Sequence, residues 1–231
     1  MCRVVDLQRA VLAKNEAAAR ILRTELAARG TTVVNLLSSP GSGKTALLER
    51  ELLLAQERGV PVAALTADLA TENDAERLSR SGAPVKQILT DGLCHLEADM
   101  LAGHLHNWLP EDTRLLFVEN VGNLVCPASY DLGESLRVVL ASVTEGEDKP
   151  LKYPTAFGLA QLVVVTKTDM AEPAAFDEAT FRSNVQQVNP GVEVVLTSVR
   201  STVGAGALLD RALAAAQGSA VHAPVMAQAR A

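Results

Sequence analysis

The chain has 231 residues, of which 48% are hydrophobic and only 3% aromatic, and a formal charge of −6. A core built from Val, Leu and Ala suits a parallel sheet buried on both faces, and the length fits one large α/β domain. An acidic chain without a basic cluster excludes a nucleic-acid face, and no apolar run approaches the ~20 residues that cross a bilayer.

Residues 6–29 read as a helix, with Leu7, Val11, Ala18, Ile21, Leu22 and Leu26 near helical spacing and Gly30 as its stop. An apolar strand at 33–37 then meets Ser38-Ser39-Pro40-Gly41-Ser42-Gly43-Lys44-Thr45, followed by a helical run at 46–58. Short apolar strands follow at 62–66, 85–89, 115–118, 138–143, 162–165 and 192–196, with helices expected at 94–108 and 205–215. This alternation predicts a P-loop-type α/β fold, a mostly parallel sheet with helices on both faces and ligands at the carboxyl ends of the strands. The expected organisation is a helical segment over 1–30, a nucleotide-binding domain over 31–215 and a disordered tail over 216–231. The first residues lack the apolar core of a signal peptide, so the cytoplasm is the expected compartment.

The glycine-rich turn between a strand and a helix is a phosphate cradle. Glycines let backbone N–H groups converge on phosphate without Cβ clashes, and the helix N-terminus adds partial positive charge. Gly41, Ser42, Gly43, Lys44, Thr45 and Ala46 are the expected nucleotide contacts, with Lys44 on the β/γ-phosphates and the Thr45 hydroxyl on Mg²⁺. Glu119, ending the 115–118 strand, occupies the place of a second Mg²⁺ ligand, and Gly122 that of a γ-phosphate-sensing glycine. Asp68 is a further carboxylate for Mg²⁺ or the attacking water, or alternatively a helix cap, while Asp74 and Glu76 fall on the solvated helix after it.

Thr166-Lys167-Thr168-Asp169 follows another buried strand, where a carboxylate accepting from guanine N1–H and the 2-amino group would select GTP over ATP. Lys167 would lie along the base. The bland alternative is a helix cap by Thr168 or Asp169. Ser198, Val199 and Arg200, after the last strand, are candidates for a second base-contacting loop. Three cysteines do not make an even disulfide set. Cys94-His95 and Cys126-Pro127 both leave strand ends, and thiolates with an imidazole suit Zn²⁺ or Ni²⁺; ordinary buried cysteines are the competing reading. His104 and His106 point to different helix faces, and Cys2 is a weak ligand candidate.

Glu119-Asn120-Val121-Gly122-Asn123-Leu124-Val125-Cys126-Pro127 with Asp131-Leu132-Gly133, the phosphate loop, Cys94-His95-Leu96-Glu97-Ala98 and Thr144-Glu145-Gly146-Glu147-Asp148 together resemble the HypB family of hydrogenase maturation GTPases. The resemblance spans about residues 6–215. It implies a slow, regulatory GTPase that assists nickel insertion into [NiFe] hydrogenase, with a nickel or zinc site from Cys94, His95 and Cys126 at a homodimer interface. It also implies other maturation proteins and the hydrogenase large subunit as partners. The chain departs from the family in having Thr166 where the guanine motif usually has Asn, and in lacking a cysteine-containing nickel motif or a histidine-rich store at its start. Rival readings are a urease-type nickel GTPase, against which the order of Cys94-His95 and Cys126-Pro127 argues, a nucleotide-sensing metal store, and an ATP-dependent partitioning-type protein.

Overall fold

The computed structural model describes residues 2–68, 73–90 and 92–228, the side chains of residues 2–8, 68 and 228 excepted. Asp68 and Cys2, as side chains, therefore lie outside the described residues. In chain order the elements are α1 (Cys2–Ala28), β1 (Thr32–Ser38), α2 (Lys44–Glu57), β2 (Val62–Asp68), α3 (Asn73–Ser79), β3 (Val85–Leu89), α4 (Ala98–Leu105), β4 (Leu115–Glu119) and β5 (Leu136–Ser142). They continue with α5 (Lys149–Lys152), α6 (Pro154–Gly158), β6 (Leu162–Thr166), α7 (Glu178–Val188), β7 (Val194–Leu196), α8 (Ala207–Ala216) and α9 (Val225–Gln228).

The strands form one parallel sheet in the order β3-β2-β4-β1-β5-β6-β7. The chain moves outward one way from β1 and returns the other way, so the strand order reverses beside β1, and the crevice at its carboxyl end is the natural ligand site. β1, β4, β5 and β6 are buried along their whole length, which is why they read as unbroken apolar runs. Alternate residues of β1 serve opposite layers. Val34 and Leu36 pack with Leu48 and Leu52 of α2 and Leu208 and Leu209 of α8, whereas Val33 packs with Leu22 and Leu26 of α1 and Leu101 of α4. A third cluster joins Val139 and Val163 to Phe157, Phe181 and Val185 under α6 and α7.

Four expectations change. The buried stripe of α1 is Asn15, Ala19, Leu22 and Leu26, leaving Ile21 and Val11 exposed, because helical geometry selects a face that counting apolar residues did not. The helix expected over 94–108 shrinks to α4. Its N-cap residue Glu97 makes no side-chain cap, and the Ala98 N–H is instead accepted by Asn15 Oδ1 of α1 at 2.9 Å. Cys94 and His95 consequently sit on irregular backbone. α7, absent from the sequence reading, is capped by Asp177, whose carboxylate accepts from Ala179 and Thr180. Finally, the segment read as a loose tail packs: Pro224 is buried, Met226 occupies the space a side chain on Gly158 would need, and His222 Nε2 lies 2.7 Å from Asn189 Oδ1.

Candidate functional site: a phosphate loop beside a thiol pair

The loop 39–43 joins β1 to α2 at the reversal point. Gly41 and Gly43 have φ of 73° and 90°, in the left-handed region that side-chain-bearing residues rarely occupy, and Gly43 caps α2. A cavity of about 590 Å³ opens above the loop, lined by 38–46, Ala67, Asp74, Arg77, Glu119, Val121, Gly122 and Lys167. Gly122 closes it from the β4 side. A Cβ there would come 3.2 Å from Pro40 Cα, so any larger residue would push against the phosphate loop.

Lys44 Nζ donates to the Asn120 carbonyl at 2.7 Å and lies 3.5 Å from Glu119 Oε1. The Thr45 hydroxyl donates to the same carboxylate oxygen at 2.6 Å. Glu119 is almost wholly buried, and burial pushes its carboxyl above the usual range, opposed by the Lys44 charge and the Thr45 hydrogen bond and assisted by the negative charge of Asp74. Its second oxygen, Oε2, is buried without a partner among the described residues. A buried carboxylate with one oxygen on a hydroxyl and the other bare has a donor set that fits a hard divalent cation such as Mg²⁺.

A second cavity, of about 350 Å³, adjoins the first and shares Gly43, Ala46 and Lys167 with it. Thr166, Asp169, Met170, Thr197, Val199 and Arg200 line it. Lys167 takes left-handed backbone, φ 57°, and its Nζ donates to the Gly41 carbonyl at 2.7 Å, tying the two cavities together. The Thr166 hydroxyl donates to the Ser42 carbonyl. Neither Thr168 nor Asp169 caps a helix: Thr168 donates to the Thr197 carbonyl, and Asp169 Oδ1 accepts from Ser198 Oγ. Ser198 thus orients Asp169 while Val199 and Arg200 reach the cavity wall.

Past Gly122 the chain turns through Cys126 into a 3₁₀ turn at Pro127–Ser129. Cys126 lies close enough to Cys94 to act on it, and the Cys126 side chain, with burial, raises the Cys94 thiol above its ordinary range. His95 Nδ1 is 3.7 Å from Cys94 Sγ. Its ring packs on Tyr130, centroids 3.9 Å apart, and its Nε2 is buried without a hydrogen bond, 3.7 Å from Glu97 Oε1. Among the described residues no group of three or more His, Cys, Asp or Glu side chains is arranged to hold a metal ion. One chain thus brings the two thiols together with the imidazole at their side, and an ion held there would need its coordination completed from elsewhere.

A family model described as CobW/HypB/UreG, nucleotide-binding domain, matches residues 32–196. Hydrogenase maturation factor HypB of Escherichia coli K12 is 45% identical over 202 residues, covering 87% of this chain and 69% of that protein. The chain belongs to the HypB family. The crystal structure of HypB from Helicobacter pylori in complex with nickel superposes with a TM-score of 0.82 at 37% identity, covering 89% of this chain and 96% of that one. Hydrogenase maturation factor HypB from Archaeoglobus fulgidus gives the same TM-score at 35% identity, with 89% and 100% coverage. The sheet order and the phosphate loop bear out the predicted fold class.

Against this HypB framework, several residues that sequence reading passed over stand out. Asn15, buried on α1, links both thiol-bearing segments: Oδ1 accepts from Ala98 and Nδ2 donates to the Asp131 carbonyl at 2.7 Å. Arg137 of β5, paired with Glu134, donates to the carbonyls of Ala128 and Tyr130 and fixes the turn after Cys126. On the nucleotide side, Arg50 of α2 donates to the carbonyls of Ser198 and Ser201, at 3.2 and 2.7 Å, holding the base loop from below. Asp74, read as solvated helix, lines the phosphate cavity, and so does Arg77. Asn15, Arg50 and Arg137 carry no motif, because each acts through backbone or side chains far away in the chain.

Proposed function

We propose that the chain is a GTP-hydrolysing metallochaperone that carries nickel, or zinc, and assists nickel insertion into [NiFe] hydrogenase. The observation that carries the reading is the single segment leaving β4, which runs from Glu119 and Gly122 at the phosphate cavity to Cys126 beside Cys94. A change at the γ-phosphate therefore reaches the thiol pair through a few residues of backbone. The name of the E. coli relative and the order of the Cys-His and Cys-Pro pairs favour hydrogenase over a urease-type role.

In this reading the loop glycines and α2 N-terminus bind the β- and γ-phosphates, and Lys44 exchanges the Asn120 carbonyl for a phosphate oxygen. Thr45 and Glu119 would hold Mg²⁺, with Asp68 as a third candidate; when bound, the ion neutralises charge on the β- and γ-phosphate oxygens. Asp169, oriented by Ser198, accepts from guanine, and Lys167 lies along the base. Gly122 donates toward the γ-phosphate. Turnover is slow, ~10⁻⁴ to 10⁻² s⁻¹, and serves regulation.

Cys94, His95 and Cys126 hold the cargo ion between two copies of the chain, each supplying part of the coordination. Leu93 and Val125, 44% and 65% exposed, flank the thiols and supply apolar surface for that contact. The GTPase domain spans 31–215, with the segment 1–30 packed on it. Other maturation proteins and the hydrogenase large subunit are the acceptors, and the compartment is the cytoplasm. No described helix is long and apolar enough to cross a membrane.

The test combines phosphate release with metal titration at matched protein concentration, with mass measured alongside. Lys44→Ala should abolish GTP hydrolysis, and Cys94→Ala or Cys126→Ala should sharply weaken Ni²⁺ binding. A metal store without turnover would instead bind nickel and GTP yet release no phosphate, which overturns the GTPase half of the reading.

A further inference from the structure

Arg77 of α3 faces the phosphate cavity, along with the phosphate loop, Glu119 and Gly122. Its Nε donates to Glu49 Oε2 at 2.7 Å. Glu49 lies four residues after Thr45 on α2, one turn along the same face. The guanidinium is therefore moored beside the helix face whose first turn carries Thr45, and Thr45 is already bonded to Glu119. The mooring uses one nitrogen. Nη1 and Nη2 have no partner among the described residues, and the side chain is 42% exposed. An ion pair this exposed contributes little to stability, so joining α2 to α3 is a weak reason for the arrangement. A guanidinium fixed through Nε at the wall of a phosphate cavity, with both terminal nitrogens unpaired among the described residues, is instead prepared for fork-like pairing with phosphate oxygens.

We propose that Arg77 is the transition-state arginine of this GTPase, supplied in cis by the same chain. The inference rests on the GTPase reading above. In the step itself, the oxygen of a water molecule bonds to the γ-phosphorus while the bond from that phosphorus to the β–γ bridging oxygen breaks. The bridging oxygen keeps the electron pair and leaves as GDP, and the water proton passes to the inorganic phosphate formed. Negative charge grows on the bridging and γ-phosphate oxygens as this happens. The Nη1 and Nη2 groups of Arg77 meet that charge, whereas Lys44 meets charge already present in the ground state. Glu49 acts as a positioning residue that sets the plane of the guanidinium.

The experiment uses the full-length protein and compares wild type with Arg77→Ala, Arg77→Lys and Glu49→Gln in three measurements: GDP and GTP affinity, single-turnover phosphate release, and capture of GDP with aluminium fluoride. Arg77→Ala should leave GDP affinity within about threefold, slow hydrolysis about 30-fold or more, the gap between GTPases with and without an arginine in the same chain, and lose the aluminium fluoride complex. Arg77→Lys should recover only part of the rate, because an ammonium cannot make the fork. Glu49→Gln should slow hydrolysis less than Arg77→Ala does. An unchanged rate in Arg77→Ala, or equal losses in Glu49→Gln and Arg77→Ala with GDP affinity falling in step, would overturn the proposal. Wild-type protein that binds GTP but releases no phosphate would overturn the GTPase reading and this inference together.

Discussion

Glu51 on α2 is wholly buried, and its carboxylate accepts from the N–H groups of Gly206 at 3.2 Å and Leu209 at 2.9 Å, at the start of α8. Burial pushes its pKa from 4.5 to about 7, although the two backbone hydrogen bonds pull the other way. The folded state therefore holds this proton more tightly than the unfolded chain does. The sign follows: the contribution of Glu51 to stability is greatest below about pH 4.5, falls as pH rises, and levels off above about 7. The shift is about 2.5 pH units at 1.36 kcal/mol each, or about 3 kcal/mol of stability lost across the window. That is a sizeable share of the 5–15 kcal/mol typical of a domain. Glu51→Gln removes the titration. Its carboxamide oxygen can still accept from Leu209, but its NH₂ cannot accept from Gly206, which leaves a buried donor costing about 1–3 kcal/mol at every pH. Urea unfolding of both proteins, followed by far-UV circular dichroism from pH 5 to 8.5 without nucleotide, isolates the effect, because other titrating groups cancel in the difference. The stability advantage of wild type over the Glu51→Gln variant should shrink by about 2.5 kcal/mol between the ends of that range. Parallel stability curves for the two proteins would refute the assignment.

The remaining predictions concern the two sites and their coupling. Asp169→Asn should cost roughly a thousandfold or more in GTP affinity and shift preference toward xanthine nucleotides, by exchanging an acceptor for a donor; unchanged GTP affinity in a fluorescent-nucleotide titration would exclude Asp169 as the base reader. Arg50→Ala, which frees the Ser198 and Ser201 carbonyls, should weaken guanine nucleotides about tenfold without creating affinity for xanthine nucleotides. Asn15→Ala cuts the link between the two thiol-bearing segments and should lower Ni²⁺ affinity about 10- to 100-fold while GTP affinity holds, as read by metal titration and nucleotide binding on one preparation. Ni²⁺ affinity should also differ about 5- to 150-fold between GDP and a non-hydrolysable GTP analogue, and nickel should change nucleotide preference by the same factor; equal affinities in both states would leave two uncoupled sites.

What the sequence alone determined about this protein was whatever depends on neighbouring residues. Parallel strands buried on both faces must be short apolar runs, so the seven strands were legible within a residue or two. The phosphate loop was legible because left-handed backbone requires Gly41 and Gly43 beside Lys44 and Thr45. Only the tertiary structure decided how those pieces meet. Asn15 and Ala98 are 83 positions apart, yet their hydrogen bond ends the irregular segment carrying Cys94 and His95 and begins α4 there. Asp74 reads locally as a solvated helix residue and becomes a cavity residue only in the fold, beside an Arg77 whose guanidinium Glu49 holds, and Glu51 acquires its raised pKa only when α8 covers it. Local backbone preference is written in a few adjacent residues, whereas burial and long-range hydrogen bonds exist only after the sheet has brought distant segments together.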